Sequence, residues 1–96
     1  MPTTPATTPP PNTATVRYWA AARAAAGCDT DAVTPGNLAE VLTEVRRRHA
    51  DNPRFARVLD VCSVLVGAQP VGGRDHEAVD VGAGDVVELL PPFAGG

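Results

Sequence analysis

The chain has 96 residues, 44% hydrophobic and 20% charged, which fits one small globular domain and not a disordered or fibrous chain. Its formal net charge is −3 and all eight basic residues are arginines, so it lacks the concentrated positive face of a phosphate-backbone binder, and no nucleic-acid partner is expected. The absence of lysine removes any side-chain amine for a Schiff base, for general-base work or for accepting an isopeptide bond.

The opening stretch MPTTPATTPPPNTA is almost entirely Thr, Pro and Ala. It is too polar and too proline-broken to pack, so residues 1–14 are expected to be disordered. With no positive charge and no apolar run, it does not read as a signal peptide, and no stretch of the chain has the length of a membrane span. The expected location is the cytoplasm, where Cys28 and Cys62 are read as reduced, buried small hydrophobes and not as a disulfide.

The folded domain is expected over residues 15–96. TVRYWA puts Val16 and Tyr18 on one face and Arg17 and Trp19 on the other, a pattern that predicts a strand inside a sheet. AARAAAG predicts a short helical turn ended by Gly27 in a left-handed conformation. CDTDAV follows as a strand with Cys28, Thr30 and Ala32 on one face, close enough to the first strand to lie antiparallel to it.

In VTPGNLAEVLTEVRRRHA, Thr34 is read as the helix cap with Pro35 at the first helical position. Leu38, Val41, Leu42, Val45 and His49 then recur at helical spacing and mark the main helix, with its charges largely off the apolar stripe. A second, smaller helix opens with Asn52 as cap and Pro53, and buries Phe55, Val58 and Leu59. CSVLVGA reads as a buried strand that gives way to turn residues in GAQPVGGRD, and the last strand runs from Asp85 to Leu90. Strands with one main helix on one face of a mixed sheet predict an α+β fold, most simply a β-grasp roll.

Catalytic patterns are scarce. His49, His76 and the two cysteines have no zinc-ligand spacing, and no metal site is expected. His49 reads as a helix-end residue that suits the dipole, and His76 as part of a solvated turn. VGAGD precedes a strand, whereas a phosphate loop follows one and opens a helix, so it reads as a turn. RRR, at residues 46–48, reads as a solvated helix end.

The C-terminal PPFAGG is the informative stretch. Pro91 and Pro92 end the strand and hold the chain extended, Phe93 and Ala94 offer a small apolar grip, and Gly95 and Gly96 have no side chains to obstruct a narrow channel. This arrangement suits a terminal carboxylate threaded into another protein's active site, with the chemistry done to Gly96.

VRYWAAARAAAG near the start and GDVVELLPPFAGG at the end resemble the small, sulfur-carrying subunits of molybdopterin synthases, within the wider family of ubiquitin-like carriers that includes the thiamin-pathway sulfur carrier. The resemblance covers about everything after the Thr/Pro stretch and implies a β-grasp fold. It implies that Gly96 is adenylated and then converted to a thiocarboxylate, with Gly95 beside it, and that Ala20, Arg23 and Gly27 form the opening motif. Trp19 and Leu90 match apolar positions that face the large subunit, and Pro91, Pro92, Phe93 and Ala94 lie on the inserted tail. The implied partners are a large synthase subunit, in a heterotetramer of two small and two large subunits, and an adenylating and sulfurating enzyme of the E1 type. That enzyme uses the ATP, and the carrier itself is expected to hold no cofactor. Two rival roles stand beside this one: a sulfur carrier for thiamin or cysteine biosynthesis, and a ubiquitin-like protein modifier. Gly67 departs from the family pattern, which commonly has Asn in that turn, and Ala24 stands where an acidic residue often follows the motif arginine.

Overall fold

A computed structural model describes residues 12–92. In chain order its elements are β1 (Ala14–Tyr18), α1 (Ala20–Ala26), β2 (Thr30–Val33), β3 (Gly36–Asn37), α2 (Leu38–Arg48), α3 (Pro53–Asp60), β4 (Ser63–Val66), β5 (Gln69–Pro70), a single 3-10 turn (His76–Ala78), β6 (Asp80–Val81) and β7 (Val86–Leu90). Five strands form a mixed sheet in the order β2-β1-β7-β4-β5, and β3 pairs with β6 in a small separate ladder. The first and last strands run parallel side by side, with Val16 opposite Val87 and Tyr18 opposite Leu89. The fold is the expected α+β roll, a β-grasp with α2 as the longest helix among the described residues.

Strand alternation sorts the sheet into two faces. Ala14, Val16 and Tyr18 of β1, Val33 of β2, and Val87 and Leu89 of β7 are buried with Leu38, Val41 and Val45 of α2 and Phe55 and Leu59 of α3. Thr15, Arg17, Val86, Glu88 and Leu90 alternate with them and take the other face. No buried residue among those described is polar or charged, so the core rests on apolar burial, at about 25 cal/mol per Å² removed from water.

Three local expectations are corrected. The main helix begins at Leu38, and its cap is Asn37, not Thr34: Asn37 Oδ1 accepts from Glu40 N–H at 2.9 Å while Glu40 Oε1 accepts from Asn37 N–H at 3.0 Å. Pro35 stays outside the helix because Gly36 and Asn37 are drawn into the ladder with Val81 and Asp80, and Leu38 N–H donates to Val79 C=O at 2.8 Å. Cys28 precedes β2 and belongs to the turn after α1, not to the strand.

The run CSVLVGA is less buried than its composition suggests. Ser63 is exposed and Val64, Leu65 and Val66 are half-buried, because only the two-residue β5 lies outside β4. Gly67 and Ala68, at φ +58° and +68°, make the tight turn into β5, which takes Gln69 and Pro70 out of the loop that the sequence suggested. Both cysteines are free and half-buried at the edge of the core. Among the described residues no helix is long and apolar enough to cross a membrane.

Candidate functional site

The strand that leads to the C-terminal motif sits in the middle of the sheet. β7 is bonded on one edge to β1 and on the other to β4, and Trp19 N–H extends the first ladder by donating to Leu89 C=O at 3.2 Å. A strand held on both edges gives its continuation a fixed exit. Pro91 is half-buried and Pro92 exposed, and neither has an N–H to carry the ladder further.

Beside this exit the outer face of the sheet carries an oriented aromatic. Trp19 is 41% exposed, and among the described residues only Val61 is another large hydrophobic so open to solvent. Its indole Nε1–H donates to Glu88 Oε1 at 2.9 Å, and the Arg17 guanidinium lies 5.6 Å from the ring centroid, within cation–π range. Arg17 and Glu88 face each other in the parallel register, and Leu65 sits opposite Glu88 on the far strand. A shallow cavity of about 310 Å³ opens next to the indole, lined by Arg17, Tyr18, Trp19, Arg23, Asp29 and Thr30. Half-buried Leu90 ends β7 on the same face as Glu88. An exposed tryptophan braced from two sides is already oriented, and aromatic anchors of this kind dominate the energetics of protein interfaces.

The opening motif has a structural basis. Trp19 caps α1 in an extended conformation, Ala20 takes φ +48°, and Gly27 ends the helix at φ +77° with its N–H donating to Arg23 C=O at 2.9 Å. Ala22 and Ala25 are buried, and their small side chains let α1 pack closely. The Arg23 side chain forms an exposed 3.5 Å ion pair with Asp29. The tight, small-residue helix therefore returns the chain to β2 while leaving Trp19 at the rim.

Residues 16–96 match the ThiS family. The chain belongs to that family. No curated protein matches it in sequence. Among solved structures it is similar to small archaeal modifier protein 1 from Methanosarcina acetivorans, with a TM-score of 0.71 and 17% identity over 92% of this chain and 100% of the other. The crystal structure of the modifier protein 1 from Haloferax volcanii gives 0.70 and 22% over 88% and 99%. A chain from the complex of subunits 1 and 2 of the Helicobacter pylori molybdopterin-converting factor gives 0.63 and 20% over 88% and 99%. At these identities the likenesses carry the fold. The family match and the fold likenesses agree on one architecture, the β-grasp.

The structure places Trp19, Leu90, Pro91 and Pro92 around one exit point, while Phe93, Ala94, Gly95 and Gly96 lie outside the described residues, as does most of the Thr/Pro stretch.

A second polar cluster escaped the sequence reading. Asp31 is in register with Val16, so it points to the helix side of the sheet. Its Oδ2 accepts from the Tyr18 hydroxyl at 2.8 Å and lies 2.8 Å from His49 Nε2, while Oδ1 stands 3.6 Å from Arg48 Nη1. The Tyr18 ring meets both His49 and Phe55 edge-on. Burial, followed by the Asp31 hydrogen bond, drives the Tyr18 hydroxyl far above its ordinary range, so it stays a donor. Burial and then Asp31 raise the nearby Cys28 thiol too. These residues lie up to 31 positions apart in the chain. The one available signal was alternation in β2, which puts Asp31 on the same face as Val33.

Proposed function

We propose that this ThiS-family chain is the sulfur-carrying small subunit of a molybdopterin synthase. The observation that supports the reading is the geometry at the end of the last strand: β7, braced by β1 and β4, runs into Pro91 and Pro92, the first residues of the PPFAGG motif, close to the exposed and oriented Trp19. The opening motif of Ala20, Arg23 and Gly27 favours the molybdopterin branch, and the fold likeness to a chain from the converting-factor complex is consistent with a large-subunit partner.

In this reading Gly96 is the reacting residue. A carboxylate is a poor electrophile, but joined to AMP by an ATP-using enzyme of the E1 type it gains a leaving group. A sulfur nucleophile then forms the C–S bond as the C–O bond to AMP breaks, leaving a thiocarboxylate. Gly95 and Gly96 let this terminus enter a narrow channel in the large subunit, which supplies the acid–base and anion-binding groups. A dithiolene holds two sulfurs, so each product takes two deliveries. Fixing the tail costs about 1–2 kcal/mol per residue in backbone entropy, and apolar contacts of Trp19, Leu90, Pro91, Pro92, Phe93 and Ala94 with the partner offset it.

The test combines intact-mass measurement with capture of partners on an N-terminal tag that leaves Gly96 free. The expected results are exchange of one oxygen for sulfur at Gly96 and recovery of a molybdopterin synthase large subunit with an activating enzyme. Removing Gly96 should abolish sulfur transfer and leave the fold intact; a shortened chain that still supports molybdopterin formation would overturn the reading. Recovery of a thiazole or cysteine synthase would keep the carrier chemistry and change its acceptor. The likeness to two archaeal modifier proteins favours a second reading, in which Gly96 is joined to lysines of target proteins. Isopeptide-linked conjugates on a denaturing gel would mark that role.

A further inference from the structure

Cys28, Asp31 and His49 bring a thiol, a carboxylate and an imidazole together, with one ligand atom from each lying within 4.8 Å of the others. We propose that these three residues form a binding site for a divalent ion of borderline softness, Zn²⁺ or Co²⁺, with water completing a tetrahedron.

The donor set argues for that class of ion. Thiolate and imidazole select against Mg²⁺ and Ca²⁺, which demand oxygen ligands, and three protein ligands with one open position are common at zinc. With bonds of about 2.0–2.3 Å, the ligand atoms of a tetrahedral zinc stand about 3.3–3.8 Å apart. The His49 Nε2 to Asp31 Oδ2 separation is 2.8 Å, so entry of the ion requires that pair to part by less than the diameter of an atom. All three ligands are half-buried, which leaves a path from solvent.

The surrounding groups suit the ion as well. Tyr18, buried in the core, donates to Asp31 Oδ2 and can hold that carboxylate while its other electron pairs bind metal. Arg48, the cation facing the cluster, is anchored 2.9 Å from Glu44 and stands on the Oδ1 side of Asp31. On binding, Cys28 releases its thiol proton to water, and the proton that joins His49 Nε2 to Asp31 Oδ2 leaves Nε2, so that the neutral ring carries its one proton on Nδ1 and turns the Nε2 lone pair to the metal. Thiolate and carboxylate together then balance the two positive charges of the ion. The bound ion would tie the α1–β2 turn, strand β2 and the end of α2 into one unit. The site does not depend on the role assigned to Gly96.

Titration of the full-length chain with Co²⁺ at neutral pH tests the proposal. The expected result is one ion per chain, with a thiolate-to-cobalt charge-transfer band in the near ultraviolet, intense visible bands of a tetrahedral ion, and loss of both when Zn²⁺ is added. Cys28→Ser preserves the Tyr18–Asp31–His49 contacts and so should fold; it is expected to abolish the charge-transfer band and weaken Zn²⁺ binding by at least about tenfold, the lower limit seen even for loss of an outer-shell partner. Cys62→Ser should leave the spectrum unchanged. Zn²⁺ should raise the melting temperature of the native chain and not of Cys28→Ser. Absence of the band, a band that survives Cys28→Ser, or one that disappears with Cys62→Ser would overturn the assignment.

Discussion

Cys62 and Cys28 differ in their surroundings more than in their exposure. Both pack against the core, but Cys28 also faces Asp31, whereas for Cys62 burial alone pushes the thiol from an ordinary 9.0 up to about 11. A buried site disfavours the charged thiolate, so native Cys62 should be alkylated about a hundredfold more slowly near pH 8 than the same residue in the unfolded chain. Rate measurements on a Cys28→Ser background, with and without denaturant, check this. The linked stability effect follows from the same shift. Below pH 9 the thiol is neutral in both states; between pH 9 and 11 the unfolded thiol ionises first, so this contribution to stability fades as pH rises through that window. Equal alkylation rates in the two states would show that the burial argument is wrong.

At the scale of elements, the start of α2 shows how a tertiary contact chooses between two caps. Both Thr34-Pro35 and Asn37-x-x-Glu40 are acceptable openings by local chemistry. Pairing of Gly36 and Asn37 with β6 settles the choice, since residues spent in a ladder cannot also form the first helical turn. Asn37→Ala removes the side-chain acceptor of the Glu40 N–H and should destabilise the fold by about 1 kcal/mol. Thr34→Ala should have a smaller effect, because Thr34 is exposed and its own bond to Glu44 uses the backbone N–H. Denaturant melts of the two variants measure the difference. A similar contest governs β4, where an apolar run alone suggested full burial. The neighbour on its outer edge spans two residues, so the strand stays half-open.

At the scale of the whole molecule the two sheet faces differ in what covers them. One is sealed by the helices and holds the core, and the other presents Arg17, Glu88, Leu90 and the braced Trp19 near the exit of the chain. Trp19→Ala removes side-chain surface that the core does not use, so the melting temperature should hardly change. If that face docks the large subunit, the same substitution should weaken the complex by roughly thirtyfold, the equivalent of about 2 kcal/mol for an interface anchor. Thermal melts paired with a binding titration separate the two effects; an affinity untouched by Trp19→Ala would place the docking surface elsewhere.

Much of this architecture was legible from local pattern. The faces of β1, the αL glycine that ends α1, the apolar stripe of α2 and the Asn52-Pro53 opening of α3 depend on neighbours within a few positions, and the period of side chains along a strand or helix records them. What only the tertiary structure decided involves partners remote in the chain. The Cys28–Asp31–His49 cluster, the ladder that displaces the helix cap and the Trp19–Glu88 bond each join segments whose meeting depends on how β1, β7 and α2 close around one core. Periodicity reports which way a side chain points, and the closing of the chain decides what it meets there.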